Sequence, residues 1–390
     1  MENRVYFAPC ADYGEETVRL AFDRLLPEGA LDFVTEGMRV AIKVNLVTAM
    51  KPESAGVTHP ALVRELCRRL CERGAEVIVG DSPGGPFNAA MMATVYRVSG
   101  MTAVEEVGAR LNRDFGQYEV EAADAREARR FTATAWLRDA DAIINFAKLK
   151  THGMMGYSGA VKNLFGTIPG TLKLEYHFSH PDATRFADML VDLNEYWKCR
   201  LSLVDAVVGM EGNGPTAGEP RFVGALLASP SPYALDVVAA DLMGLDPASV
   251  PTVTAAAARG LGPSTLAECE VPAEAFDCRV PDFKRIETGS VAEFEHLLPG
   301  LLGRIAGKLA PRLLTSRPTP KKRECIGCEK CKNICPAHAI VMKKKRPVID
   351  RSACIRCFCC QEFCPVGAMK VKRPAVARLL NHKKPKKKEP

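Results

Sequence analysis

The sequence has no apolar run of the roughly 18 residues that a membrane-spanning helix needs. Its first residues lack the charged start and the apolar stretch of a secretory signal. No GxGxxG segment lies between a predicted strand and helix, and the glycine-rich segment 212–218 contains no Walker lysine, so neither a dinucleotide nor ATP is indicated. These absences predict a cytoplasmic protein without a membrane span.

The chain has enough length and apolar residues for more than one folded domain. It contains 390 residues, of which 47% are hydrophobic and 25% charged, an ordinary composition for a globular protein. A chain of this length typically forms two or three domains. Of its 15 cysteines, most fall into a spacing typical of metal ligands, which indicates reduced thiolates in a reducing compartment.

Eight of these cysteines form a duplicated motif near the end of the chain. Each copy has the form C-x2-C-x2-C-x3-C-P, and the second copy follows the first at a constant offset of 29 residues. The first copy contains Cys325, Cys328, Cys331 and Cys335, and the second contains Cys354, Cys357, Cys360 and Cys364. The duplication predicts a pseudo-symmetric module.

This motif resembles that of bacterial ferredoxins with two [4Fe–4S] clusters, and the likeness covers about fifty residues. In such ferredoxins the fourth cysteine of each run binds the other cluster. The resemblance therefore implies one cluster on Cys325, Cys328, Cys331 and Cys364, and a second on Cys354, Cys357, Cys360 and Cys335. Zinc is the competing metal, because paired C-x2-C groups also bind it. Cys359 lies outside the pattern and is interpreted as a packed or partly exposed thiol that binds no iron.

The rest of the chain reads as alternating strands and helices. Strands are predicted at 4–9, 39–46, 76–80, 141–146, 201–208 and 222–228, and helices at 15–26, 60–73, 88–98, 181–196 and 233–243. This alternation predicts an α/β fold, a largely parallel sheet with helices on both faces, followed by a small C-terminal α+β ferredoxin-type domain with two clusters. The predicted boundaries are 1–290 for the α/β domain, 291–320 for an amphipathic helix and linker, 321–372 for the ferredoxin-type domain and 373–390 for a basic tail.

Polar residues follow the predicted strands, where open α/β sheets place their ligands. The candidates for binding a substrate are Lys43, Asn45, Asp81, Ser82, Gly84, Asn163, Glu211 and Asn213. The candidates for catalysis are Lys148, His152 and Lys162. Lysine side chains, and backbone amides that glycine leaves accessible, can bind a small anionic ligand at one edge of a sheet. The alternatives are that segment 80–85 is only a turn and that the lysines lie at the surface.

The same segments resemble the domain-of-unknown-function family 362, whose members often carry a ferredoxin module at one end. The likeness extends over residues 3–245 through the motifs KVNL, VTHP, GDSPGG, KLKTH, GYSGAVKNLFG, EGNGP and LLASPSPYALD. It implies a site built from these motifs and does not imply a particular reaction.

An additional divalent metal is a further prediction for this domain. His152, His177 and His180, with Asp81 or Glu211, offer the imidazole and carboxylate ligands that such ions prefer. The alternative is that His177 and His180, three residues apart, share the surface of one helix.

The net charge of +7 is unevenly distributed. Residues 316–390 carry 21 basic and 5 acidic residues, a net charge of +16, and the remainder carries −9. A basic module can attract an acidic redox partner protein. The lysine-rich tail has no aromatic residues for base stacking, so nucleic acid is not expected as a partner.

These observations lead to two hypotheses of different classes. The first is an iron–sulfur oxidoreductase in which the α/β domain binds a small anionic substrate, with His152 or His59 transferring a proton. The second is a non-catalytic, ferredoxin-like electron carrier or assembly partner of another enzyme.

Overall fold

A computed structural model of the chain describes residues 3–286 and 316–372. The predicted basic tail, and the predicted amphipathic segment apart from its last residues, lie outside the described residues. The chain divides into two compact units, Met1–Arg285 and Ile286–Pro390. The finer domain boundaries given above stay predictions.

The first unit contains a mixed, largely parallel sheet. Its ten strands within the described residues are β1 (Tyr6–Pro9), β2 (Arg39–Lys43), β3 (Glu76–Gly80), β4 (Arg110–Leu111), β5 (Gln117–Glu121), β6 (Arg130–Thr134), β7 (Ala142–His152), β8 (Gly156–Ser158), β9 (Leu201–Glu211) and β10 (Glu219–Ser229). Eight of them form one sheet in the order β1-β10-β9-β7-β2-β3-β4, with β8 folded back onto β7, while β5 and β6 form a separate hairpin. Strands β9, β7, β2, β3 and β4 are parallel, and β10 and β1 complete one edge as antiparallel neighbours.

Helices cover both faces of this sheet. They are α1 (Glu15–Leu25), α2 (Pro60–Glu72), α3 (Ala89–Val98), α4 (Ala160–Asn163), α5 (Lys173–Ser179), α6 (Ala183–Trp197), α7 (Pro232–Leu242) and α8 (Pro251–Ala257). One buried core joins α1, α2 and α3 to residues such as Ile144 of β7, and a second core joins α7 and α8 to residues such as Leu149. Because side chains alternate along a strand, β7 contributes to both cores. The predicted α/β fold class is confirmed.

Strand β7 differs from the prediction in a way that affects the site. The sequence predicted a strand over 141–146, with Lys148 and His152 in the loop that follows it. The strand continues to His152, and all of its residues are buried. The prediction was wrong because lysine normally lies at the surface, whereas Lys148 is paired with the buried Asp205 and Lys150 donates hydrogen bonds to Asn45 Oδ1 and Gly56 O.

Helix α2 positions the residues at the neighbouring strand end. Pro60 occupies its first turn, and Nδ1 of His59 accepts a hydrogen bond from the backbone of Ala61. The helix ends just before Gly74, which has a φ of 80° that favours glycine. The helix predicted over 60–73 is therefore confirmed to within one residue.

The second unit is small and duplicated. Its elements within the described residues are β11 (Arg317–Pro320), α9 (Lys330–Asn333), β12 (Ile340–Lys343), β13 (Arg346–Ile349), α10 (Cys359–Glu362) and β14 (Met369–Lys372). Strand β11 pairs with β14, and β12 with β13. The offset of 29 residues also holds for the backbone, because each of the pairs Gly327/Arg356, Glu329/Phe358 and His338/Gly367 has positive φ angles. The predicted internal symmetry is thus present in the fold.

Candidate functional site

The cysteines of the second unit lie in two groups. One cavity is lined by Cys354, Cys357 and Cys360 together with Cys335 from the other run. Around Cys331, burial raises the pKa of the thiol, and the neighbouring Cys364, Cys325 and Cys328 thiols raise it further. Each group therefore contains three cysteines of one copy and the fourth cysteine of the other.

Backbone amides point at the cysteines that cross over. Ala339 N donates to Cys335 Sγ at 3.3 Å, and Ala368 N donates to Cys364 Sγ at 3.2 Å, again at an offset of 29 residues. Such hydrogen bonds stabilise a thiolate and lie among the features that set the potential of an iron–sulfur cluster. The residues present therefore fit [4Fe–4S] ligation.

No trio of metal ligands supports the additional divalent metal within residues 3–286 and 316–372. Among residues 3–286, no group of three or more His, Cys, Asp or Glu side chains has the geometry that could hold a single metal ion. The ring of His177 instead stacks on Phe186, with centroids 4.5 Å apart, and meets the ring of Phe165 edge to face. The divalent metal stays a prediction.

The candidate residues of the α/β unit meet at the carboxyl ends of the parallel strands, and a buried ion pair lies at their centre. Nζ of Lys43, at the end of β2, is 2.7 Å from Oδ1 of Asp81, which follows β3. The carboxylate also accepts hydrogen bonds from the backbone of Leu46 and Ser82. Burial lowers the pKa of Lys43, and Asp81 opposes this shift. Gly166 packs so closely that a Cβ there would lie 2.3 Å from Asp81 Oδ1.

Asn163 connects the ion pair to strand β7 and to the segment that follows β2. Its Oδ1 accepts from Asn45 Nδ2 at 2.9 Å, and its Nδ2 donates to Asn145 Oδ1 at 2.8 Å. Nζ of Lys150 in turn donates to Asn45 Oδ1 at 2.5 Å. The structure therefore brings Lys43, Asn45 and Asn163 together in a network whose members bind one another, and their role in binding a substrate stays a prediction.

Lys148 belongs to a second network. Its Nζ lies 2.7 Å from Asp205 Oδ2 and donates to the hydroxyl of Tyr13 at 3.0 Å. The Tyr13 ring stacks on His59 at 3.6 Å between centroids, and burial lowers the pKa of His59 to about 4. Tyr13 could not be identified from the sequence, because it lies 192 residues from its partner Asp205 and carries no local signal.

His152 and Lys162 lie in a region of positive charge. Nδ1 of His152 accepts hydrogen bonds from the backbone of Met154 and Met155. Burial lowers the pKa of His152 well below its usual value, and Lys162, His177 and Lys150 lower it further. His152 is therefore neutral beside two lysines.

Two positioning residues were missed although the sequence carries a signal for them. Asp236 is a buried carboxylate within an apolar segment of helix α7, and it accepts hydrogen bonds from the Tyr157 hydroxyl and from the backbone of Ala160 and Val161. Burial raises the pKa of Asp236 to about 6. It thereby holds α4, which carries Lys162 and Asn163. Asn145 similarly interrupts the apolar start of β7.

The loop after β3 is held by its own neighbours. Oγ of Ser82 accepts from the backbone of Gly170 at 2.7 Å, and Gly84 N donates to Val47 O at 3.1 Å. Nζ of Lys173 donates to Ser82 O at 2.7 Å. These contacts anchor the loop to distant parts of the chain, and its role in binding a substrate stays a prediction.

Glu211 and Asn213 lie at the end of β9 and in the loop beyond it. The Glu211 carboxylate accepts from Lys284 N at 2.9 Å and lies 3.1 Å from Lys284 Nζ. Asn213 is half-buried in the loop whose neighbouring residue Gly212 accepts from the Thr151 hydroxyl. Among the contacts of the described residues, Glu211 is joined to Lys284 and not to the Asn163 network.

Comparison with known proteins identifies both parts of the chain. Residues 40–241, more than half of the chain, match the model of the domain of unknown function DUF362. The chain belongs to the DUF362 family. Residues 324–368 match a 4Fe–4S dicluster domain, so this DUF362 protein carries a ferredoxin-type iron–sulfur module for electron transfer. Both predicted family resemblances are confirmed.

A bacterial relative and two solved structures are also similar to this DUF362 protein. A thylakoid-associated protein of Synechocystis sp. is 37% identical over 256 residues, which cover 64% of this chain and 76% of that protein. A crystal structure of a Thermotoga maritima protein has 16% identity and a TM-score of 0.34, with 53% of each chain covered. The lactate racemase apoprotein of Thermoanaerobacterium thermosaccharolyticum has 11% identity and a TM-score of 0.40, with 61% of this chain and 56% of that chain covered. The chain thus spans little more than half the length of these two structures.

The search for a membrane span gave a negative result. Within the described residues, none of the helices is both long enough and apolar enough to cross a bilayer.

Proposed function

We propose that this DUF362 protein is an iron–sulfur oxidoreductase that holds two [4Fe–4S] clusters in its C-terminal unit and binds a small anionic substrate in its α/β unit. The substrate class we favour is a carboxylate or a phosphate compound. The observation that carries the proposal is the grouping of eight cysteines into two crossed-over sets of four.

The two sets of cysteines determine what the C-terminal unit can do. A [4Fe–4S] cluster with four cysteine ligands, when bound, transfers single electrons and has no open position for a substrate. The chain's own contribution is to provide the thiolates, with amides such as Ala339 N and Ala368 N directed at the sulfur atoms. The reaction itself then belongs elsewhere, and the α/β unit is the candidate.

The charges of the α/β unit favour an anion near Lys162. The charges of Lys43 and Lys148 are matched by Asp81 and Asp205. Lys162 lies near two buried histidines, and its positive charge lowers the pKa of both His152 and His177. A positive potential in a buried region attracts an anion more strongly than it would in water. Because His152 is neutral and its Nδ1 accepts backbone hydrogen bonds, its Nε2–H group can donate a hydrogen bond to a bound substrate.

The cluster content is tested by anaerobic purification. We expect about eight irons and eight sulfides per chain, and reduced-state electron paramagnetic resonance (EPR) signals of two clusters. About four irons, or a single zinc ion, would contradict the proposal for the C-terminal unit. The same metal analysis tests the additional divalent metal predicted at His152, His177 and His180.

The substrate class is tested by anion binding. Phosphate and a panel of small carboxylates are added to the anaerobic holoprotein, and the change in unfolding temperature is followed by tryptophan fluorescence. We expect at least one anion to stabilise the protein, and Lys162→Gln to weaken its binding by tenfold or more. Lys198→Gln is the matched control, because Lys198 is an exposed lysine of the same unit. If no anion binds, or if both variants respond alike, the substrate proposal is wrong.

One observation favours the alternative, a non-catalytic electron carrier or assembly partner. Lys43, Asn45, Lys150 and Asn163 bind one another and are largely buried, as in a structural network. Under this alternative, the holoprotein delivers electrons to an acceptor with no low-molecular-mass substrate, and Lys162→Gln leaves that delivery unchanged. Turnover that requires a small anion would exclude it.

A further inference from the structure

The two halves of the iron–sulfur module differ in exposure although their backbones match. Ile326, which lies between Cys325 and Cys328, is 64% exposed, and Cys328 is exposed as well. At the equivalent positions of the second copy, Ile355 is half-buried and Cys357 is only 8% exposed. The cysteine group that contains Cys328 is therefore the more accessible of the two.

A second apolar side chain accompanies Ile326. Val366 is 43% exposed and follows Cys364, which belongs to the same group as Cys325. The two chain segments are tied together, because Lys321 N donates to Ala368 O at 2.8 Å and Lys370 Nζ lies 3.5 Å from the Glu324 carboxylate. We call Ile326 and Val366, with the exposed Cys328, the apolar face of the module.

The segment that carries most of this face is basic. Residues 321–332 contain five lysines and arginines and two glutamates, and all five cations are exposed. Lys330 occupies the position that corresponds to the buried Cys359 of the second copy. The two copies thus share the same backbone conformation. The surface of the first copy exposes apolar side chains next to positively charged ones.

We propose that this face is the docking surface for an acidic one-electron carrier protein, which exchanges electrons with the cluster bound by Cys325, Cys328, Cys331 and Cys364. The inference rests on the proposed two-cluster function and specifies its partner and its point of electron entry. An exposed ligand such as Cys328 allows a donor cofactor to approach closely.

The composition of the face favours a protein of this class. A small apolar centre with a charged surround is typical of weak, transient interfaces between redox proteins. Exposed lysines accelerate the encounter with an acidic surface, and the acceleration decreases as salt screens the charges. A small anion would contact only the lysines. The exposed side chains of Ile326 and Val366 therefore favour a protein partner over a free anion.

The probe is a plant-type [2Fe–2S] ferredoxin, an acidic carrier of one electron. It is mixed with the anaerobic holoprotein in a stopped-flow instrument, in whichever direction electron transfer is downhill. In each event one ferredoxin cluster loses or gains one electron and one [4Fe–4S] cluster undergoes the opposite change. We expect a second-order rate that falls at least tenfold between 50 mM and 500 mM salt.

The variants place a negative charge at the face and at a matched position. Ile326→Asp should slow the reaction with ferredoxin by tenfold or more, and Lys330→Glu should slow it and weaken its salt dependence. Val341→Asp is the control, because Val341 is an exposed valine of the same module at 51%, on strand β12. Reduction by dithionite, which needs no docking, should be the same in all three variants.

The outcomes separate this inference from the proposed function. If Ile326→Asp and Lys330→Glu both react with ferredoxin like the wild type, or if Val341→Asp is slowed as much as they are, the docking surface is wrong while the clusters stand. Wild-type rates that do not depend on salt would also overturn it. An iron content of about four per chain in the wild type would instead remove the two-cluster function. Because cluster content is measured for every variant, a variant that loses iron is replaced by Val366→Asp, for which the same slowing is expected.

Discussion

The Lys43 ammonium and the Asp81 carboxylate form an ion pair of 2.7 Å with side-chain exposures of 0% and 4%. Each residue stands at the carboxyl end of a parallel strand, so the pair joins β2 to the loop after β3. Removing a charge from water is costly unless a partner compensates it, and burial accordingly lowers the pKa of Lys43. The cost of burying either charge is therefore compensated only while the other charge is present.

We expect Asp81→Asn to destabilise the α/β unit by about 3–5 kcal/mol, because it leaves a buried ammonium without a counter-charge. The double variant Lys43→Met with Asp81→Asn should recover part of this loss. Urea unfolding followed by the fluorescence of Trp136 and Trp197, both in the first unit, measures the change. Glu76→Gln provides the control, since the exposed pair of Glu76 and Arg110 should contribute less than about 1 kcal/mol. A loss of similar size in both single variants would contradict this account of Lys43.

The stability of the same unit should decrease in acid because of His177. Burial, with Lys162 and Lys173, lowers the pKa of His177 to about 3 from 6.5. Between these values the unfolded chain takes up a proton that the folded chain does not, so stability is retained above pH 6.5 and is lost as the pH falls towards 3. Each pH unit in this window costs up to about 1.4 kcal/mol per histidine.

The variant His177→Phe tests this pH dependence. It keeps a ring next to Phe186 and removes the titration, so its unfolding free energy should fall less steeply below pH 6.5 than that of the wild type. His152, whose pKa burial also lowers, contributes in the same direction and will leave part of the slope. His338→Asn, at an exposed histidine of the other unit, should leave the slope unchanged. Identical slopes in wild type and His177→Phe would show that His177 does not titrate as described.

The alternation of strands and helices was sufficient to predict the fold class, because the hydrophobic periodicity is a local property of the sequence. Strand β3 was predicted with its observed bounds, 76–80. Strand β7 was predicted too short because Lys148 and Lys150 interrupt its apolar pattern, and their partners come from other parts of the chain. The sheet neighbours of β10 could not be read from spacing, since register depends on which edges meet.

The candidate site was predicted in part for the same reason. Lys43 and Asn45 lie at the carboxyl end of β2, where open α/β sheets place polar residues, and Asn163 reaches them from the short helix α4. The pairing of Glu211 with Lys284, by contrast, joins residues 73 positions apart and has no sequence signal. Buried polar residues in apolar segments, such as Asn145 and Asp236, are signals that sequence reasoning could have used.

Gly166 should tolerate no larger residue, because the ion pair occupies the space beside it. A Cβ at this position would lie 2.3 Å from Asp81 Oδ1 and 2.5 Å from Lys43 Nζ. We expect Gly166→Ala to destabilise the α/β unit by about 1–3 kcal/mol through this overpacking. Gly85→Ala is the control, since a Cβ there would make only an ordinary contact of 3.6 Å with Met91. Equal urea midpoints for Gly166→Ala and the wild type would mean that the pair can move aside.

The cross-over of the fourth cysteines can be tested by comparing single variants. Cys335 belongs to the first run in sequence, but it lines the cavity of Cys354, Cys357 and Cys360. Cys335→Ala should therefore perturb or lose the same cluster as Cys357→Ala, with the same change in the EPR spectrum and about four irons lost. Cys325→Ala should affect the other cluster. Cys359→Ala should keep the full iron content, because Cys359 is 1% exposed and occupies the position of Lys330 in the first copy. If the spectrum of Cys335→Ala matches that of Cys325→Ala instead, each run binds its own cluster and the crossed-over assignment is wrong.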